Sequence, residues 1–233
     1  SLHDALPILS HFQGERIALS IFNSTSRTVF PLTDDYDLVS SQLTKAADAL
    51  RGVESQDDID KMSDKDYQKI ADWLEGTQNR KNSTSLIGDG LVSCAAMIPG
   101  FAYGDTSGAA RQRPASIVLA TDNVASGTPT YSLAQALDMA EASHISVDGL
   151  FSGPRQSEGD ATTTEMKQQI ESRGGTFLTQ SGSSDINELV RQIDSRRTSE
   201  SRRSSQAALI DAPGWWTLML VVLLAIWMIL AWR

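Results

Sequence analysis

The sequence predicts an α/β domain with a doubly wound, mostly parallel sheet, followed by a C-terminal transmembrane helix. Two observations predict this fold. Short apolar runs rich in β-branched residues alternate with stretches of helical hydrophobic spacing, and the chain ends in an uncharged apolar segment. Strands separated by helices of this length imply right-handed parallel crossovers. Roughly 200 residues suit one domain, and we assign residues 9–194 to it.

The domain is predicted to open with a hairpin and a helix. Arg16–Asn23 (RIALSIFN) and Arg27–Leu32 (RTVFPL) are short β-forming runs separated by Ser and Thr, which is the pattern of two strands joined by a turn. Asp34-Asp35 then offers an N-cap to an amphipathic helix over Tyr36–Arg51. The hairpin is therefore expected to lead directly into a helix.

The next segment, Gln56–Asn82, is acidic and polar, and we predict a surface insertion with one helix over Asp64–Glu75. Beyond it, helices and strands alternate to the end of the domain. The predicted elements are a buried helix Leu86–Ile98, a fully buried strand Ser116–Thr121, a helix Ser132–Ser143, a strand His144–Phe151, a helix Met166–Ser172, a strand Gly175–Thr179 and a helix Ile186–Ile193.

The segment Gly214–Trp232 is predicted to span a membrane once. It carries no charged side chain, and its length matches the roughly 30 Å of a hydrocarbon core. Trp215 and Trp216 at one end and Trp232 at the other suit the headgroup layer, with Arg233 just beyond. A buried core helix is the alternative, but no polar stripe would remain to face water. We expect residues 214–232 to contact membrane lipid.

Charge and cysteine content narrow the classes of partner and compartment. The net charge of -9 argues against nucleic acid as a partner. Residues 195–213 are rich in Ser and Arg and are predicted to form a polar juxtamembrane linker, whose arginines favour a cytoplasmic domain by the positive-inside tendency. The single cysteine, Cys94, excludes an internal disulfide, and its apolar neighbours predict a buried packing residue.

Ser1–Ile8 (SLHDALPI) has neither the basic start nor the apolar run of a signal peptide. It resembles a translated sequencing-adaptor read-through, so residues 1–8 are expected to be non-native and the natural sequence to begin near Leu9. An ordinary terminus is the alternative interpretation.

The usual motifs of nucleotide binding and hydrolysis are missing from the sequence. No glycine-rich phosphate loop follows a predicted strand, and neither GxSxG nor HExxH occurs. An acidic residue, Asp122, does follow the central apolar strand in SIVLATDN, and the hydroxyls of Thr84 and Ser85 precede a helix. Because parallel sheets bind ligands beyond the carboxyl ends of their strands, and Mg²⁺ prefers oxygen ligands, these residues form a plausible half of a Mg²⁺ site.

The order of several segments carries a family resemblance. ERIALSIFNSTSRTVFPLTDDYDLV, TSLIGDGL, IVLATDN and GGTFLTQSGSSDINELVRQID, followed by a membrane helix, together resemble a von Willebrand factor A (VWA) domain of the bacterial Bat-like membrane proteins. The resemblance covers about Leu9 to Arg233, and the LTDDY and IGDGL stretches are its most specific parts.

The resemblance implies a metal-ion-dependent adhesion site. Its aspartate falls on Asp122, and its threonine falls on Ser85 when Ile87-Gly88-Asp89-Gly90 serves as the ruler, with Thr84 as the one-residue alternative. The family's D-x-S-x-S loop has no counterpart in this sequence. We expect that loop and the family's first strand to belong upstream of Leu9. No strand should then occupy the sheet position between the strands Arg16–Asn23 and Ser116–Thr121, and Mg²⁺ should bind this chain weakly.

The resemblance further implies a protein-binding module that is not an enzyme. A Mg²⁺ at this site would keep an open position for an acidic side chain of a partner protein, and a functional link to a MoxR-type AAA+ ATPase in complex assembly is implied as well. Two alternatives remain at the level of sequence. One is a structural membrane scaffold with a silent metal site, and the other is a membrane-bound hydrolase, for which a nucleophile and a base would be needed at the strand ends.

Overall fold

The computed structural model describes residues 14–49, 61–78, 85–103, 115–124, 127–179, 181, 189–196 and 223. The chain divides into two compact units, Ser1–Arg191 and Gln192–Arg233. The first unit has a mixed α/β architecture, and its elements are as follows. They are β1 (Ile17–Phe22), β2 (Ser26–Thr33), α1 (Tyr36–Ala49), α2 (Asp64–Trp73), α3 (Ile87–Ala95), β3 (Ala115–Thr121), α4 (Leu133–Ala142), β4 (Ile145–Phe151), a 3₁₀ turn (Arg155–Ser157), α5 (Ala161–Glu171) and β5 (Phe177–Leu178).

The predicted hairpin and its following helix are confirmed. β1 and β2 pair antiparallel, from Ile17 opposite Thr33 to Phe22 opposite Ser26. Asp35 caps α1 as predicted, because its carboxylate Oδ1 accepts the backbone N–H of Leu38 at 2.9 Å.

The polar segment around α2 is exposed along most of its length but anchored at its end. The guanidinium of Arg27 on β2 donates to the carbonyl of Trp73 at 2.6 Å and lies 6.0 Å from the centroid of the Trp73 ring. Thr77 is fully buried, and its carbonyl accepts the backbone N–H of Thr25 at 3.0 Å. The described part of the predicted insertion is therefore fixed to the hairpin through its last turn.

A parallel three-stranded sheet, in the order β3-β4-β5, forms the centre of the domain. One face of this sheet carries the hydrophobic core, because the buried residues of α3, α4 and α5 cluster with alternate side chains of the strands. The strand residues in that core are Ile117, Leu119, Ile145, Val147, Phe151 and Phe177. Gly149 leaves room for this packing, since a Cβ there would lie 2.5 Å from the Phe177 ring.

The prediction that Ser116–Thr121 is fully buried is wrong. Along β3 every second residue is exposed, and Val118 retains 46% of its accessible surface. Within the described part of the chain β3 pairs only with β4 and β1 pairs only with β2, and the β3 residues of the core cluster, Ile117 and Leu119, lie on one face. Among the described strands β3 is therefore an edge strand, and a strand covered on one face alternates instead of being apolar throughout.

The other predicted boundaries shift by a few residues. α4 begins after Ser132, whose hydroxyl accepts the Gln135 N–H in a capping box, and ends before His144, whose φ is 57°. α5 starts five residues earlier than the predicted Met166, and β5 is limited to two residues. Residues 189–196 are helical, which agrees with the later part of the predicted helix Ile186–Ile193 and extends three residues beyond its end.

Several predictions lie on residues that the structure does not describe. These are residues 1–8, Thr84, the linker from residue 197 to residue 213, and the membrane segment 214–232 apart from Leu223, which is helical and exposed. Among the residues that are described, no helix is both long and apolar enough to cross a bilayer. The C-terminal span remains a prediction from the sequence.

Candidate metal centre

Asp122 lies directly after β3, at the carboxyl end of the parallel sheet, and its side chain is exposed. Its carboxylate Oδ1 accepts the backbone N–H of Val124 at 3.1 Å, which closes a tight turn of the type that Asp side chains favour. The preceding Thr121 supports the same turn, because its hydroxyl accepts the N–H of Asn123 at 3.0 Å. The turn fixes the direction in which the Asp122 carboxylate leaves the sheet.

Ser85 is the last residue but one before α3, and the end of β1 holds it in place. Its backbone N–H donates to the side-chain Oδ1 of Asn23 at 3.0 Å, and the next N–H, of Leu86, donates to the Asn23 carbonyl at 2.8 Å. Ser85 has a φ of 58°, in the left-handed region that costs a non-glycine residue about 1–2 kcal/mol. Such strain persists only where neighbouring contacts impose the conformation, and the two bonds to Asn23 do so here.

Helix α3 connects the two parts of the candidate site. It packs against β1 and β2 on one side and against β3 and α4 on another. The carboxylate of Asp89, in its first turn, accepts the backbone N–H of Thr130 at 3.1 Å and of Tyr131 at 2.8 Å. These two residues belong to the connection between β3 and α4, which begins at Asp122. α3 therefore joins Ser85 at its start to the loop that carries Asp122.

Asn23 and Asp89 make hydrogen bonds to the backbone around the candidate site that the sequence did not predict. The hydrogen bond of Asn23 joins residues that are 62 positions apart, and those of Asp89 join residues that are 41 and 42 positions apart. A local sequence pattern therefore does not predict them. A weak signal was nonetheless present. Asn23 directly follows the apolar run IALSIF, and Asp89 stands between two glycines at the start of a helix.

The donor set fits Mg²⁺ in kind but not in number. Asp122 and Ser85 offer a carboxylate and a hydroxyl, the hard oxygen ligands that Mg²⁺ takes. No hydrogen bond joins these two residues, and Thr84 lies outside the described residues. The described part of the chain contains no group of three or more His, Cys, Asp or Glu side chains that could hold a metal. Two protein oxygens leave most of an octahedral shell to water, so weak binding is expected.

The remaining reactive side chains add no chemistry to the site. Cys94 on α3 is half-buried against the core, and burial raises the pKa of its thiol to about 11. The thiol is therefore protonated at neutral pH and is a poor nucleophile. His144 is exposed at the end of α4, where its left-handed backbone terminates the helix. Neither residue lies beside Asp122 or Ser85 in sequence or through a hydrogen bond.

Comparison with known proteins finds similar solved structures but no matching sequence family. No protein-family model matches the chain, and no curated protein matches it. Similar solved structures include BatB from Bacteroides thetaiotaomicron, at a TM-score of 0.48 and 16% identity over 85% of this chain and 88% of that one. An aerotolerance-related membrane protein from Bacteroides fragilis, with multiple mutations to serines, has a TM-score of 0.47 and 16% identity, with the same coverage of 85% and 88%.

A membrane-spanning protein from Vibrio fischeri is more distant, at a TM-score of 0.25 and 18% identity over 83% of this chain and 84% of that one. The descriptions of the second and third structures call them membrane proteins. With every TM-score below 0.5, these similarities assign no residue and no ligand. The α/β architecture of this chain rests on its own parallel sheet, hairpin and helices.

Proposed function

We propose that this chain is a membrane-anchored protein-binding module of the VWA type, which binds a partner through a divalent metal at Asp122 and Ser85. The observation that carries the proposal is the state of the Asp122 carboxylate. It is exposed at the carboxyl end of β3, and only its Oδ1 is engaged by a described residue, the N–H of Val124. Oδ2 is thus directed by the turn and available to a ligand.

The proposed roles of Asp122 and Ser85 follow from the hydrogen bonds that hold each residue in place. Asp122 supplies the negative charge, and its carboxylate is oriented by the N–H of Val124 before any ligand arrives. Ser85 supplies a neutral hydroxyl from a backbone that Asn23 holds in place. A bound Mg²⁺ would supply an open coordination position for a carboxylate from the partner protein. A single protein carboxylate leaves the ion with net positive charge, which favours an acidic partner side chain over a neutral one.

The location and the partner class come from the sequence. The uncharged segment 214–232 supports a single membrane anchor, and the VWA-type resemblance supports a MoxR-type AAA+ ATPase as partner in complex assembly. A second candidate function is a structural membrane scaffold whose metal site is silent. It is favoured because the described residues contain no group of three or more His, Cys, Asp or Glu side chains that could hold a metal.

Calorimetry with the full chain in mild detergent tests the proposal. Mg²⁺ is titrated into the wild type, Asp122→Ala, Ser85→Ala and the control Asp37→Ala, which removes an exposed carboxylate from the first turn of α1. We expect a dissociation constant of about 10⁻³ M or weaker for the wild type, no measurable binding for Asp122→Ala and weaker binding for Ser85→Ala. The control should match the wild type.

A second titration adds acetate as the simplest acidic ligand, with and without Mg²⁺. Metal-dependent acetate binding that disappears in Asp122→Ala is expected for adhesion by metal bridging. The silent scaffold predicts equal acetate binding in every variant and at every Mg²⁺ concentration. That result would refute the adhesion proposal.

A further inference from the structure

The segment Gly88-Asp89-Gly90 forms a junction between the two halves of the candidate site. A Cβ on Gly88 would lie 2.1 Å from the carbonyl oxygen of Tyr131, so the loop before α4 rests directly on the helix backbone. A Cβ on Gly90 would lie 2.5 Å from the ring of Phe22, at the end of β1. The two glycines therefore admit different neighbours, one from the β3–α4 connection and one from the hairpin.

Asp89 locks the first of these contacts. Its two carboxylate oxygens accept one N–H each, from Thr130 and Tyr131, and both bonds are charge-assisted. An acidic residue in the first turn of a helix is ordinary, because it complements the helix dipole. Asp37 occupies the first turn of α1 in that way and is exposed. Asp89 differs because its carboxylate binds backbone groups of another segment, more than 40 positions away.

The connection between β3 and α4 is thus fixed near both of its ends. Asp122 and Val124 close a turn on β3, while Thr130 and Tyr131 are bound to α3. Since α3 starts two residues after Ser85, any sliding of this helix against the connection changes the separation of Ser85 from Asp122. The bonds of Asp89 oppose that sliding.

We propose that Asp89 is a positioning residue for the metal site, which acts by holding the β3–α4 connection on α3 so that Ser85 and Asp122 can serve one ion. This inference rests on the proposed metal function. It assigns Asp89 no contact with the metal, because both of its oxygens are engaged by backbone donors.

The test combines two measurements on the full chain in detergent. Mn²⁺ serves as the probe, because it takes the same oxygen ligands as Mg²⁺ and its free form is counted by electron paramagnetic resonance. Hydrogen exchange followed by mass spectrometry reports the opening of the peptide that contains Thr130 and Tyr131. The variants are Asp89→Asn, the matched control Asp37→Asn, and Asp122→Ala as the reference for a lost metal ligand.

For Asp89→Asn we expect exchange of the loop amides to accelerate by about tenfold or more, the effect of losing a charge-assisted bond. We also expect a several-fold loss of Mn²⁺ affinity, while Asp37→Asn changes neither quantity. If Asp89→Asn does not fold, Asp89→Glu decides the question. It keeps the charge but displaces the carboxylate by one methylene, so the same two changes are expected in smaller size.

The outcomes separate this inference from the proposed function. Faster loop exchange with unchanged Mn²⁺ affinity in the Asp89 variants, together with a loss of affinity in Asp122→Ala, would overturn the role of Asp89 and leave the metal function standing. Unchanged affinity in Asp122→Ala would overturn both. A loss of affinity in Asp37→Asn equal to that in Asp89→Asn would show a general charge effect and would likewise overturn the positioning role.

Discussion

Gly88 and Gly90 lie about half a turn apart on the same helix. We predict that alanine at these two positions has very different effects on stability. Alanine is favoured over glycine inside a helix by about 0.8–1 kcal/mol, so both substitutions gain a similar stabilisation from helix propensity. They differ in what the new methyl group meets. At Gly90 it meets a side-chain ring, that of Phe22, and at Gly88 it meets backbone.

The contacts give the expected magnitudes. In Gly90→Ala the Cβ would lie 2.5 to 2.9 Å from three ring atoms of the partly exposed Phe22, and a side chain moves at lower cost than backbone. Overpacking of this kind costs about 1–3 kcal/mol, so the net loss is about 0–2 kcal/mol after the helix term. In Gly88→Ala the Cβ would lie 2.1 Å from the Tyr131 carbonyl oxygen. The loop must then move, and the Asp89 bonds to it, at about 1.5–3 kcal/mol each, are weakened.

We therefore expect Gly88→Ala to destabilise the domain by about 3 kcal/mol or more, which is at least ~1 kcal/mol beyond the loss expected for Gly90→Ala. Urea-induced unfolding of the full chain in detergent, followed by tryptophan fluorescence, measures the difference through the transition midpoints. Equal midpoints for the two variants, or a larger loss for Gly90→Ala, would refute the interpretation of this segment as a junction fixed by backbone contact.

Three further predictions concern other parts of the chain. Arg27→Ala should lower stability by about 1–3 kcal/mol and speed hydrogen exchange in α2, because it removes the bond to Trp73. Lys69→Ala should cost much less because its ion pair with Asp66 is exposed, and equal effects of the two variants would contradict the anchor. Cys94 should resist iodoacetamide at pH 8 until the chain unfolds, because burial raises the thiol pKa from 9.0 to about 11. Rapid labelling of the folded chain would contradict the burial of this thiol. The stabilisation of the folded state that corresponds to the raised thiol pKa is fully present below pH 9 and is lost as the pH rises toward 11. Deleting residues 213–233 should release the domain from membranes, and retention of the deleted form in high salt would show that the anchor is misassigned.

The secondary structure was predictable where the signals are local. Asp35 and Ser132 cap the two helices that the sequence placed after them, and the Ser-Thr turn after Asn23 separates the two strands of the hairpin. These elements depend on neighbours within a few positions, so one sequence suffices to locate them. The antiparallel hairpin and the parallel sheet followed from the same pattern.

The exposure of β3 was not predictable because burial of a strand depends on its neighbours in the sheet. The run SIVLAT is apolar enough for a strand covered on both faces, yet Ser116, Val118 and Ala120 are exposed. The anchoring of α2 was hidden for a related reason. Arg27 and Trp73 lie 46 positions apart, and the polar composition between them indicates only a solvated surface.

The positions of the candidate ligands were predictable from the sequence, but the residues that hold them were not. The sequence places Asp122 after a strand and Ser85 before a helix, and both lie there. Asn23 and Asp89 accept hydrogen bonds from backbone N–H groups of distant residues. Because every residue except proline has such a group, residue types do not show which one is bound. Their roles became visible only from the hydrogen bonds.

The central claim is that Ser85 and Asp122 serve one metal ion. The most direct test is a titration of the ¹⁵N-labelled full chain with sub-stoichiometric Mn²⁺, whose unpaired electrons broaden the signals of nearby amides. We predict that the amides of Ser85 and Val124 lose intensity together and first, and that Asp122→Ala abolishes the loss at both. Initial broadening around the exposed Asp66 instead, or broadening at Val124 without Ser85, would contradict the claim.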